Sequence, residues 1–587
     1  MQKTLKKTIS IVLVLTMLFS AGSLNVSAKQ STWKRIGSGA LGTLIYTVLF
    51  ALNDIFPDGE DFVAKEDFVN EDFYSGTGEF LDKPAKNACW KLGYANTSLV
   101  PDDWQEHKYY LGGYIMFENF FTNKVEQVID DMKARVIAVE DGSGRGISVF
   151  ATVDCIGITN ADIKEIRRQL VEKSGGKYDF ASINVASTHA HSGIDTEGLW
   201  TNLFVKVLGN IPRSLLGLGG LKQGTDPHYM EFLYDQISNA MLKACGSMEE
   251  GKMTVSRKDI GTDYYTNKNR VSASALMTDM TVLKFLPFRK SATPTMIVNV
   301  AAHPDVAGLP TTDGQGNGRE ISGEYIYYMG EVLAEAGFNC MFFNGAIAGI
   351  YMARGASNDG QSFEHRAGQS ARYGRELGKM ALAANMTLDE IKQNKVLYDE
   401  EEIARETAIA EENGSEYTLW CEGWTPVKET EVEPFFNIMI KEVFIPVTNP
   451  FIQLAGKLNL ANYNVIVTGK NTYEICVELG YVEFGNQVKA VMMPGEVCQD
   501  LIVGGTSLTA DDSFSGKAFK YPCVTEIFDD DSIICFGLMN DAIGYVIPDN
   551  DYTMAGAFDH YHELISLGIK AASSMMQVFE EMAAEVK

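Results

Sequence analysis

An α/β fold is expected from three features of the chain. From Cys89 onward, strand-like runs alternate with helical ones: KARVIAVED (133–141) and GISVFATVDCIGI (146–158), then the helical ADIKEIRRQLVEKSGG (161–176), then the strand-like FASINVAS (180–187). Polar residues follow several of these strands directly, the position from which α/β scaffolds present functional groups. With 587 residues, 45% of them hydrophobic and 22% charged, burial is not limiting, and one large domain with insertions or two intimate ones is expected.

Residues 1–28 carry Lys3, Lys6 and Lys7, then the apolar run ISIVLVLTMLF, then small residues ending in Val26-Ser27-Ala28. This is the pattern of a secretory signal peptide, so a secreted or cell-surface location is expected, and no cysteine follows the site to take a lipid. The formal net charge is −27, and losing three lysines makes the remainder more acidic still. Such a surface repels nucleic acid and anionic lipid at long range, which excludes nucleic-acid partners. The nine cysteines have no CxxC spacing, and several lie in apolar runs, where small buried thiols are the expectation.

Residues 29–85 read as an N-terminal extension. Leu41–Leu52 is apolar but too short to span a bilayer, so it is expected to be a buried helix or a segment resting on lipid. An acidic, aromatic loop (58–76) follows. Residues 86–587 read as the main α/β domain, with insertions near 199–222 and 398–460. The first is apolar with glycine breaks, and reads as an internal helix pair or as the wall of a substrate channel. TDMTVLKF (278–285) and PTMIVNVAAHP (294–304) are expected strands, residues 364–395 one long helix, and 398–416 a solvated helix. The apolar run 435–460 is expected to be a flap or a packing hairpin, further strands precede Glu496 and Tyr545, and a last helix runs from about His562 to Val586.

His189 and His191 in STHAHSG are the strongest chemical signal. In extended chain, residues two apart share a face, so two imidazoles can converge on one ion. The alternative is a pair of rings hydrogen-bonded under a loop. Three more polar residues stand directly after strands: His303 after MIVNVAA, Glu496 after VKAVMM in MPGE, and Tyr545 after SIICFGLMN.

In the order of its motifs from about Cys89 to about Tyr552, the chain resembles the neutral ceramidases, zinc amidases that cleave the amide of ceramide. The matching motifs are GGY (112–114), KARVIAVED, HAHSG, Asn269-Arg270, TDMTVLKF, AAHP, SGEY, PGE and NDAIGY. The resemblance implies a layered mixed-sheet α/β catalytic domain. It implies one zinc ion held by His189, His303, Glu496 and Tyr545, with His191 beside the metal and Arg270 holding substrate. Two imidazoles and a carboxylate leave an ion electron-poor enough to polarise a carbonyl.

Two departures stand out. Tyr351 occupies the place where the family carries its nucleophilic serine, and a phenol does not readily replace an activated hydroxyl. The family's C-terminal β-sandwich also has no counterpart expected here. Ser187, Ser192 and Ser322 are alternative hydroxyls, each more simply read as a cap or turn residue, and Glu324 reads as a helix-start residue. His560 and His562, two apart in an expected helix, would point away from each other, and His107, His228 and His365 show no partner signature.

The expected function is metal-activated hydrolysis of an amide with a lipid-like acyl chain, with a membrane surface as a candidate partner. Two rivals are kept: an inactive, metal-stabilised lipid-binding or surface interaction protein, and a hydrolase of a different amide.

Overall fold

The structure is a computed structural model and describes residues 47–113, 124–200, 203–269, 275–305, 319–353, 363–412, 414, 416–553 and 561–586. Its centre is two sheets packed face to face. The nine-stranded sheet runs in the order Asn339–Asn344, Thr295–Val300, Asp279–Pro287, Glu249–Asp259, Trp90–Ser98, Lys133–Glu140, Ile147–Val153, Phe180–Ser187, and Thr430–Val432 joins Glu249–Asp259. The first pair and the last pair in this order are parallel, and the pairs between them antiparallel. The six-stranded sheet is built on the long strand Thr472–Phe484, flanked by Phe436–Pro446, Val465–Gly469 and Val488–Met492, with Ile534–Phe536 and Val63–Ala64 outside them.

Strand composition explains the layering. Ile147–Val153 and Thr295–Val300 are buried at every position, as strands covered on both faces must be. Trp90, Phe150, Phe285 and Phe343 of the larger sheet meet Phe436, Phe484, Met492 and Phe536 of the smaller one in a single apolar layer. Outside the larger sheet, the helices Asn160–Ser174 and Pro227–Gly246 cover one half, and Glu324–Glu335 and Phe363–Ala383 the other. Ala571–Val586 closes the outer face of the smaller sheet through Met575, Met576, Phe579 and Met582. The expected layered α/β fold is therefore observed as helix, sheet, sheet, helix.

The strand Asn339–Asn344 lies beside the middle of its own sheet: the Tyr94 hydroxyl donates to the Cys340 carbonyl (3.0 Å), and Phe343 meets Phe150 edge-on at 6.0 Å. This brings the ends of Phe180–Ser187 and Thr295–Val300 together, although their strands are far apart in sheet order.

Several expectations need correction. Residues 364–395 form two helices, Phe363–Ala383 and Leu388–Gln393, because the Thr387 hydroxyl and the Glu390 carboxylate close a reciprocal cap that starts a new helix. The run 435–460 is no flap. It supplies the strand Phe436–Pro446 and the buried helix Pro450–Lys457. Segment 199–222 contains one described helix, Leu203–Leu216, packed through Val207 and Ile211 against Leu49, Leu52 and Leu454, so that face lines no channel. The last helix begins at Ala571, after a 3-10 turn at Tyr561–Glu563. Within the N-terminal extension, residues 47–53 are helical with Leu49 and Leu52 buried, and residues 41–46 lie outside the described residues. All nine cysteines are free, eight of them buried, in line with the thiol reading.

One ion pair ties the layers. Arg167, on Asn160–Ser174, donates Nε to the Ile183 carbonyl (2.8 Å) and both terminal nitrogens to Glu478 of the other sheet (2.9 and 2.7 Å), with both side chains fully buried. Breaking one partner leaves a buried charge uncompensated. Arg167→Met is expected to cost about 3–5 kcal/mol in denaturant unfolding, and the double change Arg167→Met/Glu478→Leu to recover most of it.

Candidate metal centre

His189 follows the strand Phe180–Ser187 and His303 follows Thr295–Val300. The backbone at His189 is left-handed (φ 67°), a conformation that costs free energy outside glycine and turns its ring away from the strand direction. His191 is tied through its N–H to the Pro304 carbonyl (3.0 Å), joining the two histidine segments directly. Ligand nitrogens of His189, His191 and His303 all lie within 4.8 Å of one another, and the ring centroids of His189 stand 4.7 Å from His191 and 4.8 Å from His303.

Glu496 completes the cluster from the turn that follows Val488–Met492, a strand of the smaller sheet. Its Oε2 is 2.9 Å from His303 Nε2 and 3.3 Å from His189 Nε2. On the opposite sides of the rings, His189 Nδ1 meets the Ile156 carbonyl at 2.7 Å and His303 Nδ1 meets the Ile350 carbonyl at 2.8 Å. A carbonyl only accepts, so each Nδ1 carries the hydrogen and each Nε2 turns its lone pair inward when the ring is neutral. Two nitrogen lone pairs and a carboxylate oxygen then face one point and need a cation or protons between them. The donor set fits a metal ion such as zinc.

The same logic shows in the proton affinities. Burial depresses His189, but the Glu496 carboxylate outweighs it and holds the ring above the usual imidazole value. Burial raises Glu496, yet His189 and His303 hold it well below the usual carboxylate range. His191, only half-buried by its surface but surrounded by protein, is pushed well down by burial and by its two imidazole neighbours. Glu197 keeps some solvent contact, yet the protein packed round it pushes its carboxyl up to about 8, and it accepts from Trp200 Nε1 at 3.2 Å.

Tyr545 lies in parallel register with Glu496, on the neighbouring two-residue strand Tyr545–Val546. Registered residues of adjacent strands project to one face, so Tyr545 and Glu496 share a side, and the Tyr545 ring stacks on His562 at 4.1 Å. Tyr351 bridges to His303 and lies nearly flat on its ring (4.4 Å, 20°), with Lys268 Nζ 4.0 Å from the Tyr351 ring centroid. Arg270 lies outside the described residues, but its neighbour Asn269 is placed close by: the strand Tyr265–Asn267 pairs with Ile350–Met352, setting Thr266 opposite Tyr351. Gly349 has φ 65° and an added Cβ would sit 2.3 Å from Asn269 Oδ1, so this approach needs glycine. The early GGY motif is explained likewise, since a Cβ on Gly113 (φ 120°) would meet His191 Cα at 2.8 Å.

Two of the three alternative hydroxyls have structural partners, whereas Ser187 Oγ is buried at the end of its strand with no hydrogen-bond partner among the described residues. Ser192 donates to Glu324 (2.6 Å), which also receives Ser370 (2.9 Å), and Ser322 donates to Asp130 (2.7 Å). Glu324 is the first residue of its helix. His107 and His228 do have partners, Asp226 at 2.8 Å and Asp103 at 3.2 Å, formed across sequence distances no local pattern reveals. His560 and the side chain of His365 lie outside the described residues.

Sequence reasoning missed Asn344 and Asn540. Asn344 Nδ2 donates to the Thr188 carbonyl (2.9 Å) and the Ala302 carbonyl (3.2 Å), while its Oδ1 accepts from the Ala302 and Gly345 amides, so one side chain fixes the approach to both histidines. Asn540 accepts from the Val185 amide (3.1 Å) and donates to Asn184 Oδ1 (3.0 Å). The available signal was an asparagine closing an apolar strand, MFFN and GLMN, where a turn residue is the ordinary reading.

No family model and no curated protein matches the sequence. Solved structures do. The neutral ceramidase from Pseudomonas aeruginosa aligns with a TM-score of 0.54 at 14% identity, over 85% of this chain and 75% of that one. A ceramidase complexed with C2 aligns with a TM-score of 0.53, with the same identity and coverage. The chain has the fold of these enzymes.

Burial pushes the carboxyl of Asp541, in the segment leading to Tyr545, up to about 7 from its ordinary 3.8. The folded protein then holds a proton that the unfolded chain releases, so this contribution to stability is full below about 3.8 and is lost as pH rises through 7. Asp541→Asn is expected to raise the melting temperature relative to the unaltered protein at pH 8 more than at pH 4 in parallel thermal scans.

Proposed function

We propose that the protein is a secreted, zinc-dependent hydrolase that cleaves an amide bearing a lipid-like acyl chain, such as an N-acyl sphingosine. The observation that carries this reading is the convergence of His189 Nε2, His303 Nε2 and Glu496 Oε2, each imidazole oriented by a backbone carbonyl behind it. The fold shared with ceramidases supports the choice of an acyl amide.

His189, His303 and Glu496 would hold the ion, with Tyr545 as a fourth donor beside Glu496. When bound, zinc supplies Lewis acidity toward a carbonyl and toward water. His191, neutral in its setting and adjacent to the other rings, takes the proton of the attacking water and returns it to the departing amine as the C–N bond breaks and the carboxylic acid forms. Arg270 stabilises the negative charge on the former carbonyl oxygen.

A second reading follows from Tyr351. Its ring packs on His303, so no small hydroxyl stands there, and a protein that keeps the metal for lipid binding without turnover is the rival.

The purified, zinc-loaded protein is expected to release fatty acid from N-acyl sphingosine or N-acyl amines. His189→Ala and Glu496→Ala are each expected to lose bound zinc by elemental analysis and to reduce turnover by more than about a hundredfold. Stoichiometric lipid binding with no product from zinc-replete protein favours the rival, and the appearance of activity in Tyr351→Ser would identify that position as the lost nucleophile.

A further inference from the structure

The helix Leu203–Leu216 carries two apolar faces. One holds Val207 and Ile211, packed against the helix at residues 47–53 and against Pro450–Lys457. The other presents Val205 (59% exposed), Leu208 (37%) and Leu216 (56%), followed just past the helix by Leu218 (63%). Positions 205, 208, 209, 212, 213 and 216 fall three and four apart, so Val205, Leu208, Gly209, Pro212 and Leu216 form one continuous stripe, with Arg213 on its flank. Several large apolar side chains aligned on one exposed face mark an interaction surface.

Charge separates this face from the rest of the molecule. From Leu203 to Gln223 there are Lys206, Arg213 and Lys222 but no aspartate or glutamate, in a chain of net charge −27. Glu60 approaches it from outside and accepts from the Gly220 amide, and Asp195 and Asp226 lie near Lys206. Lys206 donates to the Gly224 carbonyl, but the exposed Arg213 and Lys222 beside exposed leucines suit phosphate headgroups over acyl chains, while the overall negative charge opposes approach to an anionic membrane. Pro212 has no N–H to offer the Leu208 carbonyl, so that carbonyl favours headgroup depth, where water is present, over the hydrocarbon core.

We propose that the outward face of Leu203–Leu216, with Leu218, docks on a zwitterionic lipid bilayer at headgroup depth. The inference deepens the lipid-amide reading, because it rests on that reading for the substrate and names how the substrate is presented. The inner face of the helix shares an apolar cluster with Ile156 and Trp200, and the Ile156 carbonyl receives His189. Docking therefore places a membrane against the element that abuts the metal centre.

The test compares zinc-loaded full-length protein with the variant Leu208→Glu/Leu216→Glu/Leu218→Glu by co-sedimentation with phosphatidylcholine vesicles. The original protein is expected to bind, and the variant to bind at least about tenfold more weakly with an unchanged thermal melt, since the altered side chains are solvent-exposed. In Leu216→Trp, the indole emission is expected to shift to the blue when these vesicles are added. Vesicles rich in phosphatidylserine are expected to bind less at low salt, with the difference shrinking as salt is raised. On a short, water-soluble N-acyl amine the triple variant is expected to keep its kcat, while KM rises on N-acyl sphingosine held in vesicles. The proposal is overturned if the original protein stays in the supernatant, if the triple variant binds equally well, if anionic vesicles bind better, or if the triple change instead converts a dimer to a monomer. Vesicle binding lost in the variant, with neither substrate hydrolysed by the original protein, supports the docking face and refutes the hydrolase reading.

Discussion

Two imidazole lone pairs and a carboxylate oxygen turned toward one point repel each other unless positive charge lies between them, and the candidate centre is built on that requirement. His189 and His303 follow two strands of the larger sheet and Glu496 follows the strand Val488–Met492 of the smaller one, so the cluster also joins segments leaving both sheets. The carbonyls of Ile156 and Ile350 leave each ring little freedom to flip its donor inward. The depressed proton affinity of Glu496 and the raised affinity of His189 are two views of this one attraction, with burial working against both.

Holding three such groups in place takes backbone in uncommon conformations. His189, Leu538 and Asn540 all have positive φ, and all three belong to segments that cross between the ends of the sheets. Such residues persist when the surroundings over-determine them. Here the Ser187 amide donates to the Leu538 carbonyl, the Asn540 amide to the Val185 carbonyl, and the Met539 amide to the Met493 carbonyl, so the segment 538–540 is bonded to the His189 strand on one side and to the Glu496 turn on the other. Asn344 repeats the arrangement between the two histidine segments. Each of these joints ties together two of the segments that carry His189, His303 and Glu496.

Much of this was legible in the sequence where the signal was local. The alternation of runs such as GISVFATVDCIGI and ADIKEIRRQLVEKSGG reports burial and period, and both elements formed as read. The residues that converge at the centre were also visible as polar side chains directly after apolar strands. Pairing between distant segments was not legible. Nothing near Arg167 announces Glu478, 311 residues away, and nothing in MFFN announces that its asparagine bonds to both histidine segments. The long helix expected at 364–395 failed because Thr387 and Glu390 form a cap whose signature sits inside a run of helix formers. The run 435–460, read as a flap or a packing hairpin, is a packed strand and helix, and the two readings stayed open because a strand between two packed layers is as apolar as a flap.

Tyr351 constrains the chemistry proposed for the centre. A ring lying flat on His303, with an ammonium 4.0 Å from its centroid, is fixed by stacking and by a cation–π contact, which are properties of a positioning element. That contact fixes the plane of His303 from the side, while the Ile350 carbonyl fixes its rotation from behind. With the phenol committed to packing, and with Ser192 donating to the buried Glu324 and Ser322 to the half-buried Asp130, the proposed hydrolysis calls on water as its nucleophile. Water needs a base that is uncharged near neutral pH and close to the ligands. In that proposal His191 is the base, since burial and the two imidazoles that neighbour it oppose its protonation.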